Sequence, residues 1–584
     1  MRRVAEVLCM SRTTSLDEGI VQTRSIASSI LFMAIAIVLA AACGASPTAS
    51  TAARVDPLFA TWNRPDSPGC GVGVSQNGAV IYERGYGMAS LERKVPITSS
   101  TVFHLASITK PFTAMSILLA AERGLLSLDD DVSKYIPDWS NREHRVTVRH
   151  LLAHTSGLRD AYVLQGWAPN NGNSNDAFIA ILSRQRGLNS PPGAEYRYNN
   201  GGYLLLGRIL ERASGQTLGA FADVNIFKPL GMTGAYFNGD PVRTAPDHAS
   251  GYSPQANGWR LVPESSGYAG NAGMMSSVRD LLLWAHNFAD TRVGKPALLA
   301  GMQTATVLTG GQTTRSGMGL GIGSYRGART FRTSGGDVGV ATELVLYPDQ
   351  KLAIAVLCNM DSAVMGGLAT VNVDDLTNGV ADIFLEDVLE PRASPRASAP
   401  PPPPVSLSAD ELTSKTGLYR LGSDEDHIML MSVRDGRLTL RDFYDDNYDM
   451  LMTPISANRF LVAGTTIEFS PAEAGRPQSW HVIDREGRPL LELPLMKFDI
   501  PKADLRAFAG EYRSDELDVT YTVSVRDSSL VVQSSTLHPV LKDAFVGEYV
   551  GMVRFVRDVR GAVAAFTLNR NSARRVRFER VKAG

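Results

Sequence analysis

Phe103-His104-Leu105-Ala106-Ser107-Ile108-Thr109-Lys110-Pro111-Phe112-Thr113 is the stretch on which the reading of this chain turns. It holds a Ser-x-x-Lys and runs straight into PFTAMSILLAA (111–121), which carries no charge. The first charges after Lys110 are Glu122 and Arg123, and Gly124 then supplies a stop. A helix apolar on every side is buried. Positions i and i+3 share a helix face, so Lys110 lies beside Ser107 at the start of a buried helix. Burial disfavours the ammonium and lowers the lysine's pKa. Lys110 is then a base for the Ser107 hydroxyl, which is too weak a nucleophile alone. The helix N-terminus adds a positive field where an oxyanion would form.

Upstream, Cys70 to Gly87 reads as a β-hairpin turning at Asn77-Gly78. Further back, Ile26 to Ala42 is an apolar run after Arg24 that ends in small residues. This is a signal-peptide pattern over residues 1–43. Leu39-Ala40-Ala41-Ala42-Cys43 is similar to a bacterial lipoprotein cleavage box, so Cys43 is the expected lipidation site. A simple cleaved signal and an uncleaved anchor are the alternatives, the run being at the short limit for a span. The region before Arg24 is long and includes acidic residues, which points to a start downstream of Met1. Residues 44–55 are expected to be a tether.

Downstream, Asp129-Asp130-Asp131 reads as a solvated turn and Val148 to Leu158 as a short helix running into a turn. Tyr196-Arg197-Tyr198-Asn199-Asn200 precedes a second apolar helix from Gly201 to Ser214, closed by Gly215. Ser277-Val278-Arg279-Asp280 looks like a capping box opening a helix to Phe288. Thr342–Tyr347 and Lys351–Cys358 form a second hairpin around Pro348-Asp349-Gln350. Strands at both ends of 56–390 with helices between them predict a mixed sheet closed by both chain ends. Residues 391–404 are a proline-rich linker. Beyond it, Gly417-Leu418-Tyr419-Arg420 recurs as Gly510-Glu511-Tyr512-Arg513, and Ser432-Val433-Arg434-Asp435 as Ser524-Val525-Arg526-Asp527. Two copies of one antiparallel β unit are expected, over 405–498 and 499–584, as two barrels or one shared barrel.

The chain's 584 residues exceed one ordinary domain. Lys+Arg 58 against Asp+Glu 59 leaves no basic excess to support nucleic-acid binding. The four cysteines have neither disulfide-framework nor zinc spacing. The nine histidines form no metal motif, so no catalytic metal is expected.

A serine nucleophile also needs a proton relay and an oxyanion hole. Tyr198 and Asn200 offer a phenol and an amide at a loop–helix junction, and Thr333-Ser334-Gly335-Gly336 ends a strand whose glycines admit a close substrate.

Ser107-Ile108-Thr109-Lys110, Tyr198-Asn199-Asn200 and Thr333-Ser334-Gly335 resemble, in order, the three motifs of serine β-lactamases and penicillin-binding proteins. HLLAHTSGL (150–158), YLLLGRILERASG (203–215), PLGM (229–232) and SGGDVG (334–339) are similar to the class C branch with its esterases and D-aminopeptidases. The resemblance covers about residues 60–360. It implies an α+β fold (an α/β sandwich): an antiparallel sheet flanked by helices, β-lactamase/transpeptidase-like, followed here by an all-β, lipocalin-like repeat region. It implies Ser107 as acylated nucleophile, Lys110 as base partner and Tyr198 as proton relay. Asn200 would hydrogen-bond near Lys110 or substrate, with Thr333, Ser334 and Gly335 binding substrate. The N–H groups of Ser107 and Gly336 would form the oxyanion hole. Lys110 and Tyr198 are not separated as acylation base. No cofactor is implied.

The third motif usually begins with Lys or His, and here that position is Thr333. Arg332 adjoins it but should face the other side of the strand. Tyr236-Phe237-Asn238 repeats the Tyr-x-Asn pattern but lacks a helix behind it. His154 reads as a turn residue that packs or caps. In the family fold the first strand pairs with the last, which would bring Cys70 near Cys358, as a disulfide or as two buried thiols.

The resulting expectation is a serine hydrolase, an esterase or D-amino-acid peptidase acting on a small molecule or short peptide. A non-catalytic relative binding cell-wall peptide or a partner, and a weak β-lactamase, are the alternatives. The protein would be exported across a bacterial inner membrane, periplasmic or lipid-anchored, touching membrane only through its N-terminus. Residues 405–584 are expected to fold apart from the catalytic domain and to shape its cleft.

Overall fold

The computed structural model describes residues 49–581 apart from 142, 239–247, 256, 264–268, 362–370, 392–403, 421–426, 444–448, 463–464, 474–477, 484–488 and 497–501. The signal segment, Cys43, residues 44–48 of the tether and nearly all of the proline linker lie outside the described residues, whereas residues 49–55 are not a tether but the start of a helix that buries Val55.

The N-terminal domain is built from α1 (Ala49–Phe59), β1 (Cys70–Gln76), β2 (Ala79–Tyr86), α2 (Thr109–Glu122), α3 (Asn200–Ser214) and α4 (Val278–Asp290), then β3 (Gly321–Tyr325), β4 (Ala328–Asp337), β5 (Val340–Tyr347), β6 (Leu352–Cys358) and α5 (Val373–Phe384). The strands lie in the order β3-β4-β5-β6-β1-β2. Every neighbouring pair is antiparallel, so the sheet is not mixed. The sheet is closed by its two chain ends because β1 pairs along its whole length with β6, from Cys70↔Cys358 to Gln76↔Leu352. The two cysteines are joined as a disulfide with a Cα–Cα distance of 4.1 Å.

Period-two alternation sorts β1 onto two layers. Cys70, Val72 and Val74 enter an apolar cluster with Val55 and Phe59 of α1 and Val380 of α5. Gly71 and Gly73 face α4, where a Cβ on Gly73 would sit 2.3 Å from Val278 Cγ1. Glycine here is what lets the helix lie close on the sheet. The larger core fills the opposite layer, and α2 runs through it with Thr109 to Ala120 all buried. That burial is why the sequence from Pro111 to Ala121 needs no polar stripe.

The C-terminal region holds two β units. Gly510–Arg580 is a closed eight-stranded antiparallel barrel whose first strand pairs with its last, Tyr512↔Arg580. In the first unit Gly417–Arg420 likewise pairs with the last strand, Leu418↔Met496. Its two outermost strands, Asp449–Leu451 and Thr453–Pro454, adjoin in sequence at Met452. The repeated Ser-Val-Arg-Asp ends equivalent strands, and its aspartates Asp435 and Asp527 turn with φ of 49° and 47°. The repeat is thus two units rather than one shared barrel.

The barrel is docked against the N-terminal domain rather than standing apart from it. Its apolar interior, from Leu505 to Phe578, is continuous with the core around α2. Arg159 pairs with Glu516 at 2.9 Å, both buried, and Tyr521 OH donates to Trp167 O at 2.6 Å. A proline-rich linker in the sequence says nothing of what docks across it.

Candidate active site

Ser107 stands on a tight turn between a short strand, Val102–His104, and α2. Leu105 N–H donates to Met274 O at 2.9 Å, fixing the approach. Ala106 is then forced to a φ of 46° although it carries a Cβ. Such a residue costs on the order of 1 kcal/mol and persists where its surroundings over-determine it. The strand β4 presses on this turn: a Cβ on Gly335 would lie 2.2 Å from Leu105 O and 3.0 Å from Ser107 N. Only glycine fits there, and Thr342 on β5 ties the same carbonyl at 3.0 Å.

The Ser107 Oγ lies 3.0 Å from Lys110 Nζ and 2.8 Å from Tyr198 OH. Among the described residues Lys110 Nζ has one other hydrogen-bond partner, Asn271 O at 2.9 Å. The ammonium group also sits 4.7 Å from the centre of the Tyr198 ring. Burial lowers the Lys110 pKa to about 7, with the charge of Asp160 pulling the other way. Burial around the Tyr198 hydroxyl raises its pKa, although the residue as a whole is 44% exposed. A lysine neutral near pH 7 can take the serine proton, and a phenol that keeps its own can donate one. If neutral Lys110 is required, kcat/KM should fall about tenfold per pH unit below about 7. An acid limb with its midpoint near the ordinary lysine value, or no acid limb between pH 5 and 8, would contradict this.

Among the described residues no hydrogen bond joins Asn200 to Lys110. Asn200 is the first residue of α3 and its N–H donates to Asp160 Oδ2 at 3.4 Å. Asn199 caps the helix, accepting from Gly202 N–H at 2.7 Å. The place beside the lysine goes instead to Asn271, whose side-chain nitrogen donates to Tyr162 OH at 2.7 Å. Sequence reasoning missed Asn271 because it acts through a backbone carbonyl, which any residue carries. It also missed Asp160, which had a readable signal as the cap of the helix Ala161–Gly166. His154 is buried and held to a pKa of about 3 by burial and by Lys110. It accepts from Asn199 N–H at 3.1 Å and packs 4.7 Å from the Tyr198 ring.

Thr333 and Ser334 border the cleft with Ser107, Lys110, Tyr196 and Tyr198. Arg332 borders it too, but its guanidinium is engaged on the far face of the sheet. It donates to Glu343 Oε1 at 2.9 and 2.6 Å and lies 3.9 Å from Asp374 of α5. Gly336, the second proposed oxyanion donor, is the next strand residue after Gly335 and pairs with Ala341. Tyr236 lies on a short strand paired with Met275, and Asn238 lines a different cavity. That cavity, about 380 Å³, shares no lining residue with the cleft of about 150 Å³ that Ser107 lines. In the triple-aspartate turn, Asp129 pairs with Arg149 at 2.9 Å and Asp130 with Lys134 at 2.9 Å, while Asp131 accepts from Ser133 N–H. Among the described residues no cluster of three His, Cys, Asp or Glu could hold a metal.

The barrel grips both ends of the segment that carries Tyr198. Asp160 N–H donates to Ser572 O at 2.7 Å. Asn189 Nδ2 donates to Ser572 O at 2.9 Å, and Arg197, next to Tyr198, donates to Asn571. The barrel supplies no group to the cleft around Ser107.

Residues 55–375 match the family model described as Beta-lactamase. The chain is 26% identical over 461 residues to a D-aminopeptidase of Gluconobacter oxydans, covering 77% of this chain and 80% of that one. It is 29% identical to a penicillin-binding protein of Bacillus subtilis, over 49% of this chain and 67% of that protein. Among solved structures it superposes on an octameric penicillin-binding protein homologue from Pyrococcus abyssi with a TM-score of 0.52 at 23% identity. That match covers 76% of this chain and 99% of the other. The last likeness is one of fold.

Proposed function

The chain belongs to the β-lactamase family of serine hydrolases, and from that premise we propose that it works through an acyl-enzyme on Ser107, cleaving esters or D-amino-acid amides. The observation that carries this reading is the position of Ser107 Oγ between Lys110 Nζ at 3.0 Å and Tyr198 OH at 2.8 Å. Ser107 Oγ attacks the carbonyl carbon and its proton passes to neutral Lys110. The Tyr198 hydroxyl protonates the departing oxygen or nitrogen as the carbonyl–leaving-atom bond breaks, and Lys110 returns a proton to Tyr198. Water then adds to the acyl-enzyme by the reverse route and releases the acid. Ser107 N–H and Gly336 N–H, on the touching turn and strand, are the donors for the oxyanion. The D-aminopeptidase relative is the reason D-amino-acid amides stand beside esters.

Thr333 supplies no cation, and Arg332 is held by Glu343 on the other face. A charge-assisted hydrogen bond to a substrate carboxylate is worth roughly 1.5–3 kcal/mol, about ten- to a hundredfold. Esters without a carboxylate beside the scissile bond should therefore be cleaved well ahead of β-lactams that carry one. The test compares kcat/KM for p-nitrophenyl acetate and a chromogenic cephalosporin on one preparation, with fluorophosphonate labelling of Ser107 alongside. Efficient cephalosporin hydrolysis that is lost in Ser107→Ala would reject the role given to Thr333. Failure of Ser107 to label would favour a binding protein instead.

Export rests on the apolar run before Cys43 and on the buried Cys70–Cys358 disulfide, which belongs to oxidising compartments. Among the described residues no helix is long and apolar enough to cross a membrane. Mass spectrometry of the mature N-terminus decides lipidation: an unlipidated start beyond residue 43 would reject it.

A further inference from the structure

The catalytic cleft does not end at Tyr198. Tyr196 lines both this cleft and an open groove of about 590 Å³. The groove runs between Ala194–Tyr196 and the segment from Leu308 to Arg315. Because Tyr198 hands a proton to the leaving atom, the leaving group departs past this tyrosine loop. The groove is therefore on the leaving-group side.

Its two banks are rigid. Thr309 N–H donates to Gly193 O at 2.9 Å, tying one bank to the other. Leu308 N–H donates to Gln312 O at 2.8 Å, Thr314 N–H to Thr306 O at 2.8 Å, and Ile322 N–H to Arg315 O at 2.8 Å. Arg315 thus lies beside β3, with Ser316 bridging Gly321, which in turn pairs with Arg332 of β4. Two strand spacings put its backbone about 10 Å from β4.

The charges along the cleft and groove are unequally engaged. Lys110 is committed to Ser107, and Arg332 to Glu343. Glu195, on the near bank, is paired with Arg197 at 3.4 Å. Arg315 is exposed and has no hydrogen bond or ion pair from its guanidinium among the described residues. A planar, permanently charged fork held on a fixed backbone suits a carboxylate.

We propose that this groove is a leaving-group subsite in which Arg315 binds a carboxylate carried one residue or more beyond the scissile bond. The inference rests on the acyl-enzyme reading above and names a substrate class for it: esters or amides whose leaving group is a short peptide-like acid. It also separates two kinds of acid. A carboxylate next to the scissile bond, as in a cephalosporin, meets neutral Thr333, whereas one further out meets Arg315.

The test uses the depsipeptide N-acetyl-D-alanyl-D-lactyl-D-alanine, whose ester leaves as lactyl-alanine, and its C-terminal amide. The full chain should prefer the acid by about ten- to a hundredfold in kcat/KM, mainly through KM. Arg315→Gln should bring the ratio to about one, and Arg315→Lys should keep part of it. Because the ratio is taken within each protein, a general loss of folded enzyme does not imitate the result. Inhibition of p-nitrophenyl acetate turnover by free D-lactyl-D-alanine against its amide gives the same comparison without depsipeptide cleavage. Equal handling of acid and amide by the wild type, or a preference that survives in Arg315→Gln, overturns the subsite. Loss of Ser107 labelling and of p-nitrophenyl acetate turnover would instead overturn the acyl-enzyme reading.

Discussion

Ser107→Ala should abolish turnover of p-nitrophenyl acetate, and Lys110→Ala should remove most of it. In catalytic units of this kind a lost nucleophile or base typically costs several powers of ten, and the two losses do not add. The geometry explains the non-additivity. Lys110 Nζ is 3.0 Å from Ser107 Oγ, and without that oxygen the lysine has nothing to deprotonate. The double variant should be no slower than Ser107→Ala alone. Removing Lys110 also leaves Asn271 O without its donor in a buried site, so stability must be measured with the rates. Initial rates on refolded and denaturant-titrated protein check this. A Lys110→Ala enzyme within tenfold of wild type would place the base elsewhere, with Tyr198 the next candidate.

Glu516→Ala should destabilise the folded chain by about 3–5 kcal/mol, the usual loss when one partner of a buried ion pair is removed. Arg159 and Glu516 are 3% and 9% exposed, so both charges are largely withdrawn from water. Glu516 also accepts from Arg186 N–H at 2.6 Å, and Gln185 donates to Glu516 O at 3.2 Å. A loss of this size is a large fraction of the stability of an ordinary domain. Its measurement is the shift in the urea midpoint, read at the catalytic domain. Replacing Arg159 and Glu516 together by apolar residues of similar volume should recover much of the loss. A chain ending near Pro391 loses this pair, the Trp167–Tyr521 hydrogen bond and the barrel's share of the core. It should aggregate or lose Ser107 labelling, in contrast to what a free-standing catalytic domain would do. A Glu516→Ala shift below about 0.5 kcal/mol would mean that the barrel merely rests on its neighbour.

The parts of the site that could be read in the sequence were local. Ser107 and Lys110 are three residues apart, and the uncharged run behind them announces a buried helix. The pair of glycines at 335 and 336 is also local, and the strand alternation that turns Arg332 away from the cleft follows from period two. The choice between Asn199 and Asn200 was not readable, because adjacent asparagines at a helix start have the same propensities. Which one caps depends on the loop that enters, here fixed by His154. The Arg159–Glu516 pair joins residues 357 apart, with no periodicity connecting them. The repeat in 405–584 was visible as matching words, but its docking depends on surfaces that no word encodes.

The pairing of β1 with β6 sets the order in which the molecule can be made. Cys70 and Cys358 are separated by 288 residues, so β1 has no second neighbour until most of the catalytic domain has been synthesised. At about 5–20 residues per second that interval is roughly 15–60 s. Throughout it, Val72 and Val74 lie on a hairpin with one open edge, the kind of template on which chains aggregate. Closing so long a loop comes late and slowly, as in other folds dominated by distant contacts. A nascent chain of this protein therefore stays open long enough to be threaded or chaperoned. The turn at Ser107 cannot be assembled early, because it is braced by Gly335 of a strand that emerges almost as late.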